Sequence, residues 1–212
     1  MKAPISLLLL AMACTAPQTL AAKGWTDPYK GYDETVFMEM DLDDNLLTPA
    51  VPDKERPAVS RAMKRLGTEL ARQGFIVDMM RDDEVVLVTV PTDRLFLPND
   101  TLMTGEAFKV LAPVLSHLGE PDMFKVVYAV HTDNTGSERY NMELSHARNG
   151  AVYDHMLNHV NRDIVIIPYE MGDTDPLESN DTRKGRAENR RLEIYLIPGP
   201  KMITDAHKGL LK

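Results

Sequence analysis

From Thr104 to Pro198 the chain alternates helical and strand periodicity, and this alternation limits the fold more than any other feature. Thr104 is a good helix cap, and Phe108, Leu111, Leu115 and Leu118 recur behind it on one face. Gly119 and Pro121 stop that helix. Residues 124–130 (FKVVYAV) read as a strand. Ser137 caps a second helix running to about Asn158, and residues 164–169 read as a further strand. A polar loop over 170–181 leads to a short helix over 182–190 and a last strand over 191–197, closed by Pro198. Strands separated by helices predict an α/β sandwich in which helices pack on one sheet.

Upstream the pattern changes. Residues 23–54 are acidic and spotted with proline, which predicts an irregular linker in which Val36-Phe37-Met38 is at most a short strand. Pro57 suits a first helical turn, and Val59, Met63, Leu66 and Leu70 then recur at helical spacing until Gly74. Residues 75–80 and 84–90, joined by Arg81-Asp82-Asp83, predict a β-hairpin. Residues 55–92 thus form a helix and hairpin extension packed beside the sheet or continuing it. Leu95-Phe96-Leu97 reads as a short strand before the turn Pro98-Asn99-Asp100. The tail over 199–212 is expected to be loose.

Residues 1–22 resemble an export signal: Lys2, an apolar core from Ile5 to Ala13, and small residues at Thr19-Leu20-Ala21-Ala22. The only cysteine, Cys14, lies inside it and is either incidental or the lipidated residue of a lipoprotein. The mature body therefore has no disulfide. A formal charge of −8 disfavours nucleic acid as a partner.

The richest local chemistry lies in residues 131–148, HTDNTGSERYNMELSHAR. Asp133 follows the apolar strand at its C-terminal end, where open α/β sheets commonly bind ligands. On the following helix Asn141, Ser145 and Arg148 are spaced by four and three and make one polar stripe, while Leu144, Ala147 and Ala151 are expected to face the core. A carboxylate and a planar guanidinium held apart can clamp a group bearing both an amine and a carboxylate. The competing reading is an internal Asp133–Arg148 salt bridge in a purely structural adaptor. A third reading is an enzyme built on Asp133 and Glu170, which under the resemblance described next would be a periplasmic wall hydrolase.

HTDNTG, then Asn141, Leu144-Ser145 and Arg148, then Asn189-Arg190-Arg191-Leu192-Glu193-Ile194, together resemble the OmpA-like C-terminal, peptidoglycan-binding domain, over residues 95 to 197. Gly172, Pro176, Asn180, Thr182, Gly185 and Arg186 fall at family-like spacing between them. The resemblance implies a mixed sheet with helices packed on it over residues 93–198. It implies a periplasmic, outer-membrane-associated domain that binds the diaminopimelate of the peptidoglycan stem peptide without covalent chemistry or cofactor. By motif position Asp133 takes the amine and Arg148 the carboxylate, with Asn99, Thr135 and Asn141 in support. Val130 and Glu170 stand where the family usually has glycine, and both are expected to reshape the pocket rim. No run of roughly ten-residue amphipathic strands precedes the domain, so an attached barrel is not expected. An envelope protein partner is expected to use residues 23–92.

The remaining candidates have plainer readings. Arg183, Lys184, Arg186, Arg190 and Arg191 lack interleaved aromatics for base stacking and read as a structural and wall-facing patch. One of Arg190 and Arg191 is expected to anchor loops and the other to be solvated. His155 and His159 with Asp154 have no further ligand for a metal. His131 reads as a strand-end packing or hydrogen-bonding residue, not a base.

Overall fold

The computed structural model describes residues 34–211 except Arg162, so the expected export signal and Cys14 lie outside the described residues. Thirteen segments follow one another. Two short helices, α1 (Glu34–Glu39) and α2 (Leu42–Leu47), precede the long α3 (Arg56–Arg72). The hairpin β1 (Ile76–Met80) and β2 (Val85–Pro91) leads into a 3-10 turn at Thr92–Arg94. Then come α4 (Gly105–Leu115), β3 (Phe124–His131), α5 (Glu138–His159), β4 (Ile166–Gly172), α6 (Arg183–Asn189), β5 (Arg191–Pro198) and α7 (Pro200–His207).

The five strands form one mixed sheet in the order β1-β2-β5-β3-β4. Only β3 and β4 are parallel, joined through α5, as a parallel pair requires a long crossover. The hairpin continues the sheet: β2 pairs antiparallel with β5 from Val86–Leu196 to Pro91–Arg191. β3 and β5 are buried along their whole length, so both faces of the sheet must be covered.

Alternate residues on these strands feed two separate cores. On one face Val86, Val88, Val126, Tyr128, Ile194 and Leu196 pack under Met63 and Leu70 of α3, Leu111 of α4, Met156 of α5 and Ile203 of α7. On the other, Val85, Val127, Ile167, Tyr195 and Ile197 pack under Phe37 of α1 and Leu46 of α2. Residues 34–47 therefore do not form an irregular linker. They are two helical turns that roof the second face, and Val36-Phe37-Met38 is helix, not strand. Nor is the tail loose, because α7 buries Met202 and Ile203 in the main core.

Lys125 is the one charged residue inside the buried β3 run, at 1% exposure. Its ammonium donates to the Asn45 carbonyl at 2.7 Å, Asn45 Oδ1 at 3.1 Å and Thr48 Oγ1 at 3.0 Å, and lies 4.4 Å from the centre of the Phe37 ring. Asn45 in turn donates to the Phe37 carbonyl and the Tyr169 hydroxyl, both at 2.6 Å. The hairpin loop is tied to the same roof. Arg81, Asp82 and Asp83 all adopt positive φ, which side chains other than glycine rarely do. Arg81 is held there by bonds to the Leu46 and Pro49 carbonyls and to Glu84.

Candidate functional site: a cleft at the end of β3

The cleft is assembled where β3 ends and α5 begins. Ser137 caps α5 by accepting from the Tyr140 N–H, and this fixes the loop Thr132–Gly136 over the end of the sheet. At Gly136 a side chain would collide with Tyr140 and Asn141, so only glycine lets the loop close on the helix. The opposite wall comes from the segment after β2. There Leu95-Phe96-Leu97 is not a strand: Phe96 makes a single bridge to Met103, and the Thr92–Arg94 turn carries Asp93 to the rim. The resulting cleft encloses about 660 Å³. Asp133, Arg148, Asn99, Thr135 and Asn141 all line it, together with Asp93, Thr132, Tyr140, Leu144 and Arg190. Phe96, Leu97 and Pro98 supply an apolar side.

Asp133 and Arg148 are not paired with each other. Asp133 Oδ1 accepts the Thr135 N–H at 2.9 Å, and Oδ2 accepts Arg190 Nη1 at 2.6 Å. Burial alone would raise the Asp133 pKa, but the Thr135 and Arg190 hydrogen bonds outweigh it and hold the group below the usual carboxylate range. Arg190 also grips Asp93 with two parallel bonds, at 3.0 and 2.7 Å. Arg148 is 4% exposed, and no carboxylate pairs with it among the described residues. Its Nε donates to the Asp100 carbonyl at 2.9 Å and its Nη2 to the Leu97 carbonyl at 3.4 Å. The guanidinium stands 5.0 Å from the centre of the Phe96 ring. Burial lowers its pKa, against the nearby charge of Asp93. Of the five guanidinium N–H groups, those on Nη1 make no bond among the described residues. The buried Thr132 hydroxyl on the cleft wall is likewise unpartnered.

Several expectations need correcting. Asn141, Ser145 and Arg148 do share one face of α5, and Asn141 and Arg148 meet Asp133 at the end of β3, but this polar face is the buried one, while Ala147, expected in the core, is exposed. Hydrophobic spacing misplaces this helix because its inner face is polar over its first three turns. Val130 is fully buried in the main core, and Glu170 faces outward to His146 at 2.7 Å, so neither touches the rim. A catalytic pair of Asp133 and Glu170 is therefore not assembled in the cleft. Neither arginine of the Arg190-Arg191 pair is simply solvated: Arg191 is 2% exposed and bound to Glu193 and Asp175, and Arg190 is held by Asp93 and Asp133. Three members of the basic cluster bond inward: Arg190, Arg191, and Arg186, which reaches the Asn180 carbonyl. His155 packs on Phe108 at 4.6 Å and on His159 at 4.2 Å between ring centres, and burial brings its pKa down to about 4. Phe108 itself is half-exposed instead of facing the core. His131 is buried against Glu193, at 3.2 Å.

Sequence reasoning missed Asp93 and Arg190. They lie 97 positions apart, and no local spacing joins them. The only available signal was that Arg190 is the first arginine of the Asn-Arg-Arg stretch.

No helix among the described residues is long and apolar enough to cross a membrane. A family model described as "OmpA family" matches residues 95–190. Across nearly its whole length the chain is 25% identical to Outer membrane protein A of Bordetella avium, covering 92% of this chain and 96% of that one. It is 36% identical to the Peptidoglycan-binding protein ArfA of Mycobacterium bovis over 42% of this chain, but spans only 27% of ArfA. Among solved structures, the cell wall anchor of the T6SS from Pseudomonas aeruginosa superposes with a TM-score of 0.51 and 26% identity, covering 68% of this chain and 99% of that one. The mixed sheet and the matched segment agree, and residues 95–190 form an OmpA family domain.

Proposed function

We propose that the cleft binds peptidoglycan non-covalently, through the diaminopimelate of the stem peptide, and so anchors an envelope component to the cell wall. The observation that carries this reading is that Asp133 and Arg148 line one cleft unpaired with each other, the guanidinium keeping free N–H groups. An amine placed on Asp133 and a carboxylate placed on Arg148 satisfy both without leaving a buried charge alone. Thr135, Asn99 and Asn141 stand around these ends as further hydrogen-bonding groups, and the unpartnered Thr132 hydroxyl offers one more. The apolar side formed by Phe96, Leu97 and Pro98 suits the methylene chain between the two ends of diaminopimelate.

A peptidoglycan ligand also agrees with the similarity to ArfA, a peptidoglycan-binding protein, and to the T6SS cell wall anchor. The reading assigns no catalysis. Both carboxylates in the cleft, Asp93 and Asp133, are already bound by Arg190, so neither stands free to reach a substrate proton. The purely structural reading loses its internal salt bridge, since the partner of Asp133 is Arg190. The reading places the protein in the periplasm in association with the outer membrane. Among the described residues of the 23–92 segment, exposed Met38, Leu47 and Ile76 offer apolar surface to an envelope partner.

Co-sedimentation with purified sacculi tests this. The wild type is expected to pellet, whereas folded Asp133→Asn and Arg148→Ala stay in the supernatant. Equal pelleting of all three refutes the reading.

A further inference from the structure

Four charged side chains line the cleft: Asp93, Asp133, Arg148 and Arg190. Two carry negative charge and two positive, so they sum to zero. Arg190 stands between the acids, forked onto Asp93 and bonded through Nη1 to Asp133. Arg148 feels the charge of both Asp93 and Arg190, so the four act as one electrostatic group.

We infer that Arg190 is a specificity-determining residue: by cancelling one of the two acids it keeps the cleft neutral, and so selects an end group carrying an amine together with a carboxylate over a bare amine. This rests on the peptidoglycan-binding reading above and adds which stem peptides the cleft accepts. A zwitterionic end leaves the charge balance at zero. A bare amine brings an extra positive charge beside Arg148, a buried guanidinium that would then have no anion, and that mismatch is costly away from bulk water. Without Arg190 the cleft carries one net negative charge, and a bare amine restores neutrality. Diaminopimelate and lysine at the third stem position differ by this one carboxylate.

The test compares two stem tetrapeptides, identical except for meso-diaminopimelate or L-lysine at the third position, by titration calorimetry on the full chain. Wild type is expected to favour the diaminopimelate peptide by roughly tenfold or more, the value of one charge-assisted pair. Arg190→Gln is expected to bring the ratio close to unity, chiefly by tighter binding of the lysine peptide. Arg190→Lys and the double change Asp93→Asn with Arg190→Gln restore the charge sum and should retain the preference. Asp93→Asn alone, at a side chain that is 57% exposed, should widen it.

A residue that merely braced Asp133 would weaken both peptides alike in Arg190→Gln, and the double change would not rescue the ratio. That outcome overturns the inference. If Arg190→Gln fails to fold, an unchanged ratio in Asp93→Asn overturns it equally. Failure of the wild type to bind either peptide would instead sink the peptidoglycan reading itself.

Discussion

Asp133 and Arg148 face one cleft but hold different partners: the carboxylate is taken by Arg190 at 2.6 Å, and the guanidinium by two backbone carbonyls. Each is oriented without being neutralised by the other. The carbonyls of Leu97 and Asp100 position the fork yet carry no full negative charge, so the arginine still lacks a counter-ion. Rigid placement of a charge before the ligand arrives removes an ordering cost that binding would otherwise meet.

Because the fork both holds the 97–100 loop and offers Nη1, charge alone will not replace it. Arg148→Lys is expected to weaken binding of a diaminopimelate tetrapeptide by about tenfold or more, since an ammonium cannot make two parallel bonds while also bonding both carbonyls. Calorimetric affinities within twofold of wild type would show that the fork is not used.

Salt should matter only moderately. The clamp charges are largely buried, so mobile ions screen them less than exposed charges. Sacculus binding is expected to fall by less than about tenfold between roughly 0.05 and 0.3 M salt. Complete release within that range would assign binding to exposed Arg183 and Lys184 instead.

Glu193 on β5 anchors the end of the sheet beneath the cleft, accepting from Arg191 at 2.7 Å, Tyr195 at 2.5 Å and His131 at 3.2 Å. Burial would raise its pKa, but the bonds from His131 and Tyr195, the charge of His131 and the bond from Arg191 bring it down to about 2. A depressed carboxylate adds stability that is full above its unfolded value near 4.5 and lost as pH falls towards 2. Glu193→Gln is therefore expected to cost about 3 kcal/mol near neutral pH and much less near pH 3. Urea unfolding at the two pH values checks this, and an equal cost at both would contradict it.

How much of this was legible in the sequence depended on what each segment buries. The β3 run and the caps Thr104 and Ser137 were readable because apolar runs and capping oxygens act locally. The α1–α2 roof was not, since Phe37 and Leu46 are its only buried apolar side chains amid acidic neighbours. The inner face of α5 was misread for the opposite reason: it buries Asn141, Ser145, Arg148 and Asn149, which periodicity counts as solvent-facing. Motif position located Asp133 and Arg148. The Asp93–Arg190–Asp133 junction depends on three chain segments meeting, and no spacing within any one of them announces it.

The buried Lys125 gives the roof its own pH response. Its ammonium meets only uncharged oxygens and the Phe37 ring, and burial, aided by repulsion from Arg81, brings its pKa down to about 7 from 10.5. For a base whose folded value is lowered, the unfolded chain holds more protons between the two values, so stability rises with pH across that window. The penalty is complete below about pH 7 and is relieved as pH climbs towards 10.5. Lys125→Met deletes the titrating group while keeping the volume and leaving the Asn45 and Thr48 acceptors in place. Whatever its absolute stability, the variant should lose this rise, so wild type gains on it steadily from about pH 7 to about pH 9. Denaturant unfolding of both proteins across that range provides the comparison. Parallel stability curves would mean that Lys125 is as readily protonated under the roof as in the unfolded chain.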